Sequence, residues 1–158
     1  MKRIIAIVVL LLIAGALYNF AKNRTSEINT SAVLYKNTEY GFQISLPESW
    51  RGYFVIIDKW SDNSLNPTEN GPLISIRHPQ WTAPNPRQDI PIMVFTLTQW
   101  NDMQADKFHI GAAPINPTEL YRNAQHVFAL PARYNFAFQT GIEEIEQILQ
   151  SNFPKLRL

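Results

Sequence analysis

Tyr40-Gly41-Phe42-Gln43-Ile44-Ser45-Leu46-Pro47 alternates with a period of two: Tyr40, Phe42, Ile44 and Leu46 fall on one side, Gly41, Gln43 and Ser45 on the other. Successive side chains leave a β-strand on opposite faces, so this stretch predicts a strand with one buried face. Pro47 ends it, because proline removes a ladder donor. Working outward, residues 53–59, 73–78, 92–100, 125–130 and 134–138 are also rich in β-branched or aromatic side chains and bounded by Pro, Gly or Asn. Together these segments predict an antiparallel sheet of about six strands.

Helical spacing is clearest at the C-terminal end. Thr140-Gly141-Ile142-Glu143 matches a capping box with Thr140 at the N-cap, and Glu143, Glu144 and Glu146 stand where the helix dipole favours negative charge. Ile142, Ile145, Ile148 and Leu149 then recur on one face, which predicts an apolar stripe laid on the sheet and ended at Phe153-Pro154. A second helix is expected over residues 102–108, and another start near Pro117-Thr118-Glu119. The expected fold class is therefore α+β, an α/β sandwich with helices covering the sheet. Residues 61–72 and 79–91 form its long loops; the second holds prolines at 79, 84, 86 and 91.

Ahead of this domain the chain changes character. Met1-Lys2-Arg3 precedes an apolar run from Ile4 to Leu17, and Asn19 is the one strongly polar side chain up to residue 21. A cationic leader with an apolar core is an export signal, and roughly 18 such residues also span a bilayer as a helix. Ala14-Gly15-Ala16 has the small-x-small form of a cleavage site, but cutting there leaves an apolar core of only about ten residues. Retention as an N-terminal transmembrane helix is the expectation, with Tyr18 and Phe20 at the interface. Residues 1–24 are thus read as anchor or signal, 25–32 as a polar tether and 33–158 as one folded domain. The expected location is the cytoplasmic membrane, single-pass, with the domain on the outer face.

Charge separates along the same boundary. Residues 1–24 carry Lys2, Arg3, Lys22 and Arg24 and no acid, leaving 10 basic against 13 acidic side chains in the rest. A domain with net charge −3 lacks the basic footprint of a nucleic-acid binder. The chain has no cysteine, so the domain is stabilised by its core without disulfides.

The stretch from Tyr35 to Trp50, in which Tyr40-Gly41-Phe42 runs into Leu46-Pro47 and Trp50, resembles the opening of PsbP-like domains. A strand near Tyr134 followed by Gly141-Ile142-Glu143-Glu144 is similar to that group as well. The resemblance covers about a third of the expected domain. It implies a sheet with helices packed on it, serving as a non-enzymatic accessory or binding module, here of a bacterial envelope. In such a fold Phe42, Ile44 and Leu46 fill the core, and Trp50 is buried with its indole N–H satisfied.

Candidate chemistry is sparse. Asp102, Asp106 and His109 would share one face if the helix ran through them and could offer two oxygens and a nitrogen to a metal. A solvated helix face explains them better, and His78 and His126 read as ordinary strand residues, so no metal and no cofactor is expected. No Gly-x-Ser-x-Gly elbow or phosphate loop is present, and the expectation is a protein that is not an enzyme. Trp60, Trp81 and Trp100 fall at strand ends or in the Pro-rich loop, with Arg87 near Trp81. These four form the expected binding patch, since Trp and Arg contribute disproportionately to recognition; the alternative is that each tryptophan caps the core edge. The expected role is a non-catalytic, membrane-tethered binding module with an envelope protein as partner. The rival readings are a small enzyme acting on cell-wall material and a carbohydrate-binding module.

If residues 4–20 are a retained anchor, the protein stays with membranes through a carbonate wash and its N-terminus is Met1 or Lys2. Recovery of a soluble form beginning near Leu17 would identify a cleaved signal instead.

Overall fold

The computed structural model describes residues 32–65, 67–111, 115–137 and 139–153; the expected anchor and most of the tether lie outside them. Among the described residues no helix is long and apolar enough to cross a membrane. The fold is α+β. A hairpin of β1 (Val33–Asn37) and β2 (Phe42–Leu46) is followed by a 3-10 turn at Glu48–Trp50. Then come β3 (Phe54–Ser61), β4 (Asn70–Arg77), β5 (Ile90–Thr96), helix α1 (Leu97–Gln104), β6 (Thr118–Arg122), β7 (His126–Leu130) and helix α2 (Ile142–Asn152). Strands β3 to β7 make one antiparallel sheet in the order β3-β4-β5-β7-β6.

Both faces of this sheet are covered. Ile90, Ile92 and Val94 of β5, with Ile74, Ile76, Phe128 and Leu130, pack against Tyr35, Phe42, Ile44 and Leu46 of the hairpin and Ile145, Ile148 and Leu149 of α2. On the opposite face Met93, Phe95, Val127 and Ala129 meet Trp100 and Met103 of α1 and the indole of Trp60. The result is three layers around a sheet whose middle strands are apolar on both sides. At its edge β3 is less protected: Phe54, Val55 and Ile57 are exposed at 58%, 41% and 65%.

Several expected elements shift for identifiable reasons. Strand β5 stops at Thr96, four residues before the expected end. The Thr96 hydroxyl accepts the N–H of Gln99 and the Gln99 side chain accepts the N–H of Thr96, a reciprocal cap that starts α1. Helix α1 consequently ends at Gln104, short of the expected helix over 102–108, with Asp106 at φ +56 beyond it. Residues 118–122 form β6 and not a helix, and β1 also adds a strand to the expected set. Residues 132–137 form successive turns in place of a strand, because Pro131 closes β7 and Arg133 takes φ +55. Helix α2 has Gly141, not Thr140, as its N-cap: Thr140 is held in a parallel bridge to Arg87, and Gly141 makes the turn at φ +90.

One contact fixes how the second face closes. Trp60 and Gly71 are directly paired across β3 and β4, and the indole lies where a side chain at 71 would stand. A Cβ on Gly71 would come within 2.7 Å of three ring atoms. Replacing Gly71 with Ala should therefore lower stability by about 1–3 kcal/mol through overpacking, while Asn70→Ala, at an exposed neighbour, should stay within about 0.5 kcal/mol. Urea denaturation of the two variants checks this.

Candidate functional site

The four residues expected to form a binding patch separate in the structure. Trp60 is 4% exposed; its Nε1–H donates to the carbonyl of Val94 at 2.9 Å, and its ring stacks on Phe95 at 4.4 Å. Trp100 is 6% exposed on α1 and meets Phe95 edge-on at 5.4 Å. Both belong to the core beneath α1 and are not available as a surface platform. The expectation that placed them at strand ends lacked the capping box at Thr96, which turns Trp100 inward. Arg87 donates to Glu144 of α2 at 3.1 Å, and so ties the Pro-rich loop to the helix. Arg87 and Trp81 both stay partly exposed; Trp81 has the guanidinium of Arg77 at 3.9 Å from its ring centroid. Arg77 is held there by a two-point ion pair with Asp89.

The metal reading of Asp102, Asp106 and His109 fails on backbone grounds. α1 ends before Asp106, so the three never share a helix face, and Asp102 is paired with Lys107 at 2.7 Å. Among the described residues no group of three or more His, Cys, Asp or Glu could hold a metal ion.

His78 is 2% exposed and stands edge-on to Trp50 at 5.0 Å. Its Nδ1 accepts the N–H of Gln80, so the proton of the neutral ring is on Nε2. Burial, and secondarily the positive charge of Arg87, push its pKa down, against a smaller opposing pull from Glu144. Trp50 is buried as expected, but its indole N–H finds no partner among the described residues. Asp62 is a different case. The Ser64 hydroxyl and the backbone N–H groups of Glu69, Ser64 and Thr68 all donate to its carboxylate, which holds its pKa far below the usual range and closes the loop after β3.

One concavity was not marked by any single motif. A groove of about 670 Å³ runs between the hairpin and β6, with the C-terminal end of α2 beside it. Its apolar lining comes from Phe42, Ile92, Leu120, Phe128 and Phe153, and Tyr121, 47% exposed, stacks on Phe128 at 6.0 Å. Amide side chains bracket it. Asn123 donates to the carbonyl of Tyr40 at 2.9 Å, and Asn152 makes two bonds to the backbone of Ser45. Among the described lining residues Lys36 carries the single formal charge, and no carboxylate or imidazole is present. An apolar recess with a few placed polar groups suits a bound ligand. The sequence signal that could have found it is the alternation 40–46, whose polar face (Gln43, Ser45) borders the groove.

The chain matches no protein-family model, and no match to it was found among curated proteins or solved structures.

The neutral His78 has a measurable consequence. The unfolded chain takes up a proton near the ordinary value of 6.5, whereas the folded protein resists it to lower pH. Stability should therefore fall as pH drops below about 6.5. His78→Phe should flatten that part of the slope in a series of thermal melts, whatever it does to the absolute midpoint.

Proposed function

We propose that this chain is a non-catalytic, membrane-tethered, extracytoplasmic binding module of the cell envelope, PsbP-like in fold, whose ligand seats in the groove between the hairpin and β6. The groove carries the proposal: its aromatic and amide lining offers contact area and hydrogen bonds, and its described lining residues include no carboxylate or imidazole. The PsbP-like part of the reading draws support from β2, which ends at Pro47 with Trp50 buried behind it, and from α2, which packs its isoleucines against the sheet. The N-terminal apolar run supports the tether and the outer-face location. This moves the expected contact surface from the Pro-rich loop to the groove, since Trp60 and Trp100 of the original patch are buried and Arg87 is paired with Glu144.

The carbohydrate reading retains one favourable observation, the exposed ring of Tyr121 stacked on Phe128 beside asparagine amides. A wall-acting enzyme would need carboxylates or an imidazole facing its substrate, and the described lining residues of the groove supply neither.

A photo-cross-linking phenylalanine placed singly at position 121, 81 or 147, in the full chain in its native membrane, separates the surfaces. Adducts should form from position 121 and not from the exposed position 147 on α2. Adducts from 81 alone would return the site to the loop, and hydrolysis of wall fragments by the purified chain would replace this function with an enzymatic one.

A further inference from the structure

We propose that the groove accepts an extended polypeptide, which adds as a strand to the edge of β2 that no strand among the described residues pairs with, and directs an acidic side chain to Lys36. This rests on the groove being the ligand site and names what occupies it. The first step is the direction of the β2 backbone groups. The N–H of Ser45 donates to Oδ1 of Asn152 at 2.8 Å, and Nδ2 of Asn152 donates to the Ser45 carbonyl at 2.9 Å. Both groups of Ser45 therefore point away from β1. In an antiparallel ladder, residue pairs alternate between those that exchange hydrogen bonds and those whose groups face outward. Ser45 pairs with Leu34 and Gln43 with Lys36, two positions along, so the N–H and C=O of Gln43 also face away from β1. Gln43 lines the groove.

The protein already shows what this edge takes. The side-chain amide of Asn152 meets Ser45 with one donor and one acceptor, the same two-point pattern a peptide unit of a neighbouring strand would make. The Tyr40 carbonyl at the other end is taken by Asn123. Between the two brackets the extended edge is Phe42 to Ile44, about 10 Å at about 3.3 Å each, which is room for about three residues of an extended chain. On the far side stands β6, the last strand of its sheet, with no strand on its outer edge among the described residues. Side chains of the added strand would alternate, one set toward Leu120, Phe128 and Phe153, the other toward solvent near Lys36, the cross-strand partner of Gln43. Lys36 is the one formal charge among the described lining residues, so an aspartate or glutamate there is favoured.

The test is selection of a phage-displayed random heptapeptide library on the full chain in detergent micelles, followed by titration of the synthesised winners. They should carry an acidic residue. N-methylation of the peptide backbone at alternate positions should weaken binding by about tenfold or more, and methylation at the intervening positions should not. Gln43→Pro, which removes the outward N–H while leaving the Tyr35–Ile44 and Asn37–Phe42 pairs intact, should lose about tenfold. Gln43→Ala should stay close to the parent. Lys36→Glu should reverse the preference for acidic peptides. If Gln43→Pro unfolds, the N-methyl series on the unaltered protein decides. Failure to enrich any peptide, or winners indifferent to backbone methylation, overturns the proposal. Should cross-linking from position 121 still capture a ligand in that case, a glycan or another partner holds the groove and only the strand assignment falls. With no adduct from 121 either, both readings fall.

Discussion

A β-sheet whose central strands are apolar on both faces has to be covered twice, and this requirement organises the protein. Strand β5 sends Ile90, Ile92 and Val94 to one side and Met93 and Phe95 to the other, all at or below 2% exposure. Water on either face would forfeit the burial of several large side chains, each contributing roughly 1.5–3 kcal/mol. The hairpin and α2 answer the first face, and α1 with the Trp60 indole answers the second. The hairpin covers without joining: β1 and β2 form their own two-stranded sheet. That separation leaves two strand edges facing a gap, and so creates the groove.

How much of this could be read from residues alone follows from the kind of signal each element carries. β2 is legible because one of its faces is wet, which stamps a period of two on the chain. α2 is legible because Ile142, Ile145, Ile148 and Leu149 recur on one side. β5 hides its own end: a strand buried on both faces shows no alternation, so only the pair Thr96 and Gln99 marks where helix begins. β6, Thr118–Arg122, has a bulge between Glu119 and Tyr121 that breaks its alternation. Residues 134–137 have the composition of a strand, yet lie in the turns that follow Pro131. No local pattern reports that.

The proposed binding surface was less legible than the fold, for a related reason. Tryptophans near turn residues look like surface anchors when only one covered face is anticipated. A second covered face needs large side chains of its own, and Trp60 and Trp100 supply them. The groove, by contrast, is assembled from β1, β2, β5, β6, β7 and α2, and none of its residues is unusual in its own segment. Lys36, Gln43 and Asn152 acquire meaning only from which backbone groups they leave open.

The contact between Trp60 and Gly71 reaches beyond local packing. The ring occupies the volume that any side chain at 71 would claim, so the two positions are not free to vary one at a time. A larger residue at 71 is admissible only after the tryptophan has given way to something shorter, and the energies of the two changes are then strongly non-additive. The order in which substitutions arise at this pair decides whether the intermediate protein folds. Among all the paths by which the sequence could drift while keeping its second face closed, those that begin at 71 pass through a destabilised intermediate.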